Sequence, residues 1–178
     1  MLSVLVGAAT AALSKEVVKA IAAKRGVRIA KNVFQDRAEL GDFDRGALLL
    51  CTLPAPAHHS GVYVGHGKVI ELQGNGHIRK VDLDNFTRTG VTIMVASRNK
   101  HIFTSENIAT RAEKKEGNTR NYNVILDNCH QFTAGCIKGK FENPNNFKLF
   151  LDQTIKNRFG EFEWRAVKYT GTYDFNYA

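Results

Sequence analysis

The feature that most restricts this chain is a pair of alternating stretches, His59 to Val64 and Lys68 to Gln73, joined by Gly65-His66-Gly67. Side chains alternate across a strand, and a short glycine-bearing loop closes a hairpin. One face then carries Val62, Val64, Ile70 and Leu72 and is the apolar one. The other carries His59, Gly61, Tyr63 and Glu71. A three-residue loop pairs Val64 with Lys68 and Gly61 with Glu71. Glu71 then lies diagonal to His59, within reach of long side chains, and Gly61 leaves room between them. A two-residue loop would slip the register by one and send Glu71 to the wrong face.

The neighbouring segments extend this hairpin into a sheet. Ala47 to Leu53 is an apolar run bounded by Gly46 and Pro54, which reads as a buried strand. His77 to Leu83 and Val91 to Ala96 continue the series, and Phe162 and Trp164 alternate with charged residues in a last strand. Ser105 to Glu116 reads as a helix, and Phe147, Phe150, Leu151 and Ile155 mark another. Between them Asn128 to Lys138 is expected to be helical, capped by Asn128 or Asp127, with Cys129, Phe132, Thr133, Cys136 and Ile137 on one stripe.

That cap gives Cys129 its chemistry. A helix start presents unpaired N–H groups and the positive end of the macrodipole, both of which favour a thiolate. His59 then serves as general base and acid, and Glu71 orients the ring and stabilises its charged form. The Cys129 N–H is the first candidate for an oxyanion donor. Tyr63, Asn128 and His130 are the candidates for substrate contacts, Tyr63 either donating a hydrogen bond or filling space. His58, His66 and His130 add imidazoles, but neighbouring strand residues face opposite ways and no Cys-x-x-Cys or His-x-x-x-His spacing occurs. No metal site and no cofactor are expected.

The blocks His59-Ser60-Gly61-Val62-Tyr63-Val64-Gly65, Val69-Ile70-Glu71-Leu72 and Asn128-Cys129-His130-Gln131-Phe132 resemble the lecithin:retinol acyltransferase family. Gly46-Ala47-Leu48-Leu49 sits where its members begin the preceding strand, so the resemblance spans roughly residues 45 to 138. It implies an α+β, permuted papain-like (NlpC-type) fold, with an antiparallel sheet packed against the helix carrying the cysteine. By residue matching it places His59 at the family's catalytic histidine and Cys129 at its nucleophile. Two positions depart from the family. Many members carry a second histidine where this chain has Glu71. Members with acyltransferase activity usually read Asn-Cys-Glu-His-Phe, whereas this chain reads Asn-Cys-His-Gln-Phe.

The rest of the chain sets the context. Its 178 residues suit one domain with an extension, drawn here as an N-terminal helical extension over 1–40 and a catalytic domain over 41–178. Leu2 to Leu13 is uncharged but too short to span a bilayer, and it lacks the basic start of a secretory signal. A helix ending near Arg25 and Gly26, with Leu13, Val17 and Ile21 on one face, would lie on a membrane surface or pack on the domain. The formal charge of +8 suits an anionic membrane surface or another anionic partner. The lack of a stacking motif or helix-turn-helix pattern argues against nucleic acid. Three cysteines argue against a disulfide framework. Cys129 and Cys136, two helical turns or about 10 Å apart, are too distant for a bridge. A reducing, cytoplasmic setting follows, with peripheral membrane attachment open.

Three functions fit: cysteine-dependent acyl transfer from a lipid ester or related acyl donor, a peptidase or amidase of the NlpC type, and a non-enzymatic basic membrane-binding module.

Overall fold

A computed structural model describes residues 43–52, 58–87, 92–121, 128–145 and 147–167. The N-terminal extension expected over residues 1–40, with its amphipathic helix, lies outside the described residues.

The expected hairpin is formed by β2 (His58–Gly65) and β3 (Lys68–Leu72). Gly61 stands opposite Glu71, the register expected, but the turn that sets it is different. The connection is a two-residue His66-Gly67 turn in which both residues have positive φ, 51° and 70°. This left-handed turn suits the twist of the strands. Alone it would carry Glu71 to the wrong face. The register instead shifts between Tyr63 and Gly65, where Val64 is an extra residue on β2, and this bulge restores the pairing. The Val64 carbonyl accepts a 2.6 Å hydrogen bond from Arg45 Nη1. Arg45 is held in turn by Glu106 and Glu113 at 2.9 and 2.8 Å.

Among the described residues, β1 (Leu48–Thr52), β4 (Ile78–Asp82), β5 (Ile93–Arg98), β6 (His101–Ile102) and β7 (Glu163–Ala166) join the hairpin in a seven-stranded antiparallel sheet. Its order is β4-β3-β2-β1-β5-β6, with β7 also paired to β5. Leu48 to Cys51 are fully buried because both faces of the sheet are covered, which explains the uninterrupted apolar run.

One face packs against α2 (Glu106–Glu113), α3 (Cys129–Lys138) and α4 (Lys148–Phe159). Val62, Ile70 and Leu72 of the hairpin meet Ile108, Phe132, Leu151 and Ile155 there. Each side chain fully buried in such a layer contributes roughly 1.5–3 kcal/mol. Helix α3 is buried on every side from Cys129 to Ile137, not along one stripe, because it lies between the sheet and its neighbouring helices. Helix α4 is tied to β7 by Trp164 Nε1, which donates to Asp152 Oδ1 at 2.8 Å.

The His59 face of the hairpin differs from the polar face that alternation suggests. A short helix α1 (Leu83–Thr87) places Leu83 and Phe86 over Tyr63, Val69 and Val81, making a second apolar cluster. His59 and Glu71 therefore sit at the edge of a core rather than in open solvent. The architecture is α+β, with an antiparallel sheet packed against the helix that begins at Cys129.

Candidate active site

Helix α3 starts where Asn128, in extended conformation, turns its Oδ1 onto the N–H groups of His130 and Gln131 at 3.0 and 3.2 Å. Such a cap satisfies two of the four unpaired N–H groups of a helix start. The N–H of Cys129 is not one of them. The far end closes on Gly139, whose positive φ of 76° lets its N–H reach Gly135 O.

The start of α3 meets the start of β2. Cys129 Sγ lies 3.9 Å from the His58 carbonyl oxygen and 3.9 Å from His130 Nδ1. His59 approaches from the strand, and its Nε2 donates to Glu71 Oε2 at 2.6 Å. With Nε2 committed to the carboxyl group, Nδ1 is the ring nitrogen left for the thiol. Glu71 is only 3% exposed, so its second oxygen also needs donors. Gln73 Nε2 supplies one at 3.0 Å and Arg79 Nε a longer one at 3.4 Å. The Phe86 ring lies over the His59 imidazole with centroids 5.2 Å apart.

Gly61 makes that contact possible. A Cβ there would stand 2.7 Å from Val69 Cγ1 and 2.9 Å from Phe86 Cε2. The room that this glycine leaves is filled by Phe86 and Val69, not by an open gap between His59 and Glu71.

These contacts oppose desolvation, which by itself would neutralise both members of the thiol–imidazole pair. For His59, burial pulls the pKa down, but interactions with Cys129 and Glu71 outweigh it and push it up to about 10. For Cys129, burial pushes the thiol up, but His130 and His59 outweigh it and hold it well below the ordinary thiol value. The arrangement favours a thiolate beside an imidazolium. The other two cysteines behave oppositely. Burial, reinforced by the charge of Glu71, pushes Cys51 up to about 11, and burial raises Cys136 as well. The His58 ring, on the opposite side of β2 from His59, is pulled down by burial and by the charge of Lys148.

Of the residues singled out from the sequence, Cys129, His59, Glu71 and His130 converge, and Asn128 joins them as the cap. Tyr63 does not. Its hydroxyl accepts from Gly67 N–H at 3.1 Å, at the hairpin turn, and its ring packs edge-on against Phe43. Gln73, Arg79, Phe86, Ser60 and Thr133 are part of the arrangement and were not anticipated. Gln73 had a readable signal, since it shares the Glu71 face two residues on. Arg79 had a weaker one, the Glu71–Arg79 pairing of the next hairpin. Among the described residues no three His, Cys, Asp or Glu side chains are grouped to hold a metal.

A model of the lecithin retinol acyltransferase family matches residues 41–142, more than half of the chain, and takes in Cys129, His59, Glu71 and His130. The chain belongs to the lecithin retinol acyltransferase family. No curated protein matches it. Membership of the lecithin retinol acyltransferase family suggests acyltransferase or thiol-hydrolase activity and acyl-bearing lipid substrates in general. The family match ends before α4 and β7, so these two elements complete the helical layer and the sheet from outside it. No helix among the described residues is long and apolar enough to cross a membrane.

Proposed function

We propose that the protein transfers acyl groups through a thioester on Cys129, with His59 as acid and base and Glu71 holding the ring. The observation that carries this reading is the 2.6 Å contact between His59 Nε2 and Glu71 Oε2, which leaves the other ring nitrogen to a thiol already depressed in pKa.

In this scheme the Cys129 thiolate attacks the carbonyl carbon of an acyl ester, and the carbonyl electrons move onto oxygen. In this reading the Cys129 N–H, which the Asn128 cap does not take, donates to that oxyanion. Collapse re-forms the carbonyl and breaks the ester C–O bond, and His59 gives its proton to the departing alkoxide. A water or an amine then attacks the thioester while His59 takes its proton, and the thiolate leaves. Glu71 keeps its oxygen on Nε2–H throughout and stabilises the imidazolium.

The family match supports a lipid ester as donor, and the charge of +8 supports delivery from an anionic membrane surface. The order of histidine before cysteine supports a permuted papain-like, NlpC-type arrangement. Three free thiols support a reducing, cytoplasmic setting. Tyr63 and Asn128 have structural roles in this reading: the Tyr63 hydroxyl oxygen accepts from Gly67 N–H at the turn, and Asn128 Oδ1 caps α3.

Intact-mass measurement of the full chain after incubation with phospholipid vesicles tests the reading. An acyl adduct that is absent in Cys129→Ala and cleaved by hydroxylamine is expected. Labelling by peptide substrates and never by lipid would transfer the site to the peptidase reading. No adduct with any donor would overturn acyl transfer.

A further inference from the structure

Two imidazoles flank the Cys129 sulfur, and a count of hydrogens separates their roles. His130 Nδ1 is 3.9 Å from Sγ and 3.0 Å from Ser60 Oγ. Ser60 Oγ is 3.0 Å from Thr133 Oγ1, and Thr133 Oγ1 is 2.9 Å from the Cys129 carbonyl oxygen. All four residues are buried, so water does not relieve a mismatch among them. Each contact then needs one hydrogen between its heavy atoms, because facing lone pairs repel and a buried polar atom without a partner is unfavourable.

The assignment follows from the carbonyl end. A carbonyl has no hydrogen, so the single hydroxyl hydrogen of Thr133 goes to Cys129 O. The contact between Ser60 and Thr133 must then use the hydrogen of Ser60. Ser60 has none left for His130, and the remaining contact is satisfied only if the ring donates. Which ring nitrogen carries a proton is decided by its network, and this network requires it on Nδ1.

We propose that His130 is locked with a proton on Nδ1 and acts as a hydrogen-bond donor to the Cys129 thiolate, not as a second base. The inference deepens the proposed function, since it rests on Cys129 as nucleophile. The nitrogen that faces sulfur is already protonated, so it cannot accept the proton of the thiol. Among the described residues, His59 is the imidazole left to take that proton. The Nδ1–H is shared between Ser60 Oγ and Sγ, and it favours the ionised sulfur. The remaining charges reach the sulfur indirectly: Glu71 on β3 acts on His59, and Lys148 and Asp152 on α4 act on His58.

Histidine-selective nitrogen-15 labelling of the full chain reads the tautomer from long-range proton–nitrogen couplings. A protonated Nδ1 on His130 at neutral pH is expected in the native protein and also in Cys129→Ala, where no nucleophile remains. A bare Nδ1 in the native protein overturns the proposal whether or not the chain turns over any substrate. Inertness toward every acyl donor with Nδ1 protonated would instead count against the proposed function alone. Thr133→Val gives the second test, because it frees the Ser60 hydrogen to reach His130. The tautomer should shift toward Nε2–H, and the midpoint of the pH–rate profile for alkylation of Cys129 by iodoacetamide should rise by about one pH unit, a tenfold weaker hold on the thiolate. Thr133→Ser should restore both. A folded Thr133→Val chain with an unchanged tautomer and unchanged alkylation overturns the proposal.

Discussion

Arg45 Nη1 donates to the Val64 carbonyl at 2.6 Å, and Val64 is the residue that bulges out of the β2–β3 ladder. The bulge decides on which side of the sheet Glu71 lies, so Arg45 acts on the site from a distance. Arg45→Ala should cost about 1.5 kcal/mol in urea unfolding, the low end for a charged hydrogen bond because the side chain is partly exposed. Turnover should fall further than stability accounts for, since a slipped register takes Glu71 from His59. Turnover that merely follows the folded fraction would limit Arg45 to stability.

Gly61 gives a second test of the same hairpin. An added Cβ would meet Phe86, Val69 and the Ile70 carbonyl at 2.9, 2.7 and 3.1 Å. Gly61→Ala should therefore destabilise by about 1–3 kcal/mol, the usual cost of overpacking. Phe86→Leu in the same chain should recover part of the stability by vacating the contact, though without the ring over His59. Additive losses in the double variant, read by chemical denaturation, would show that Phe86 is not what the Cβ meets.

The parts of this arrangement that are legible in the sequence are those set by local chemistry. Asn128 followed by Cys129 reads as a cap and a first helical residue because both preferences act within one turn. Strand alternation brings His59 and Glu71 to one face. The bulge at Val64 is not legible, because its carbonyl is taken by Arg45 from before β1 and by nothing nearby in sequence. Helix α1 is not legible either: only its first residue, Leu83, falls in an expected element, the strand His77 to Leu83, and five residues are too few to show a helical period, yet the helix places Phe86 on His59. The Ser60–His130–Thr133 chain joins β2 to α3 across about seventy residues, and a pairing that distant leaves no local pattern.

Cys129→Ala should abolish turnover while the chain stays folded, because the sulfur is the nucleophile and Ala is a good helix former at a helix start. Cys51→Ala and Cys136→Ala should keep turnover within a few-fold while lowering the melting temperature, since both sulfurs are fully buried in the two cores. The three variants differ in one readout each, so circular dichroism melting and an acyl-release assay are sufficient. Loss of activity in a well-folded Cys136→Ala chain would contradict the assignment of the nucleophile.

Glu71→Gln tests the charge on the ring. His59 stands at about 10 in the folded chain, against about 6.5 for a free imidazole. A group whose pKa rises on folding stabilises the fold fully below its unfolded value, and that stabilisation fades as pH climbs through the folded one. The contribution of His59 is therefore present at pH 6 and largely lost beyond pH 10. Cys129, whose pKa is depressed, works the other way and loses its contribution as pH falls. Replacing Glu71 by Gln keeps an oxygen near Nε2 but removes the charge, so the His59 midpoint should move down in an NMR titration. The melting temperatures of the two proteins should differ most near pH 6 and converge toward pH 10. The alkaline limb of turnover, which needs a protonated ring to expel the leaving group, should move to lower pH in the variant. An unmoved His59 midpoint would show that the 2.6 Å contact with Glu71 does not set the charge of the ring.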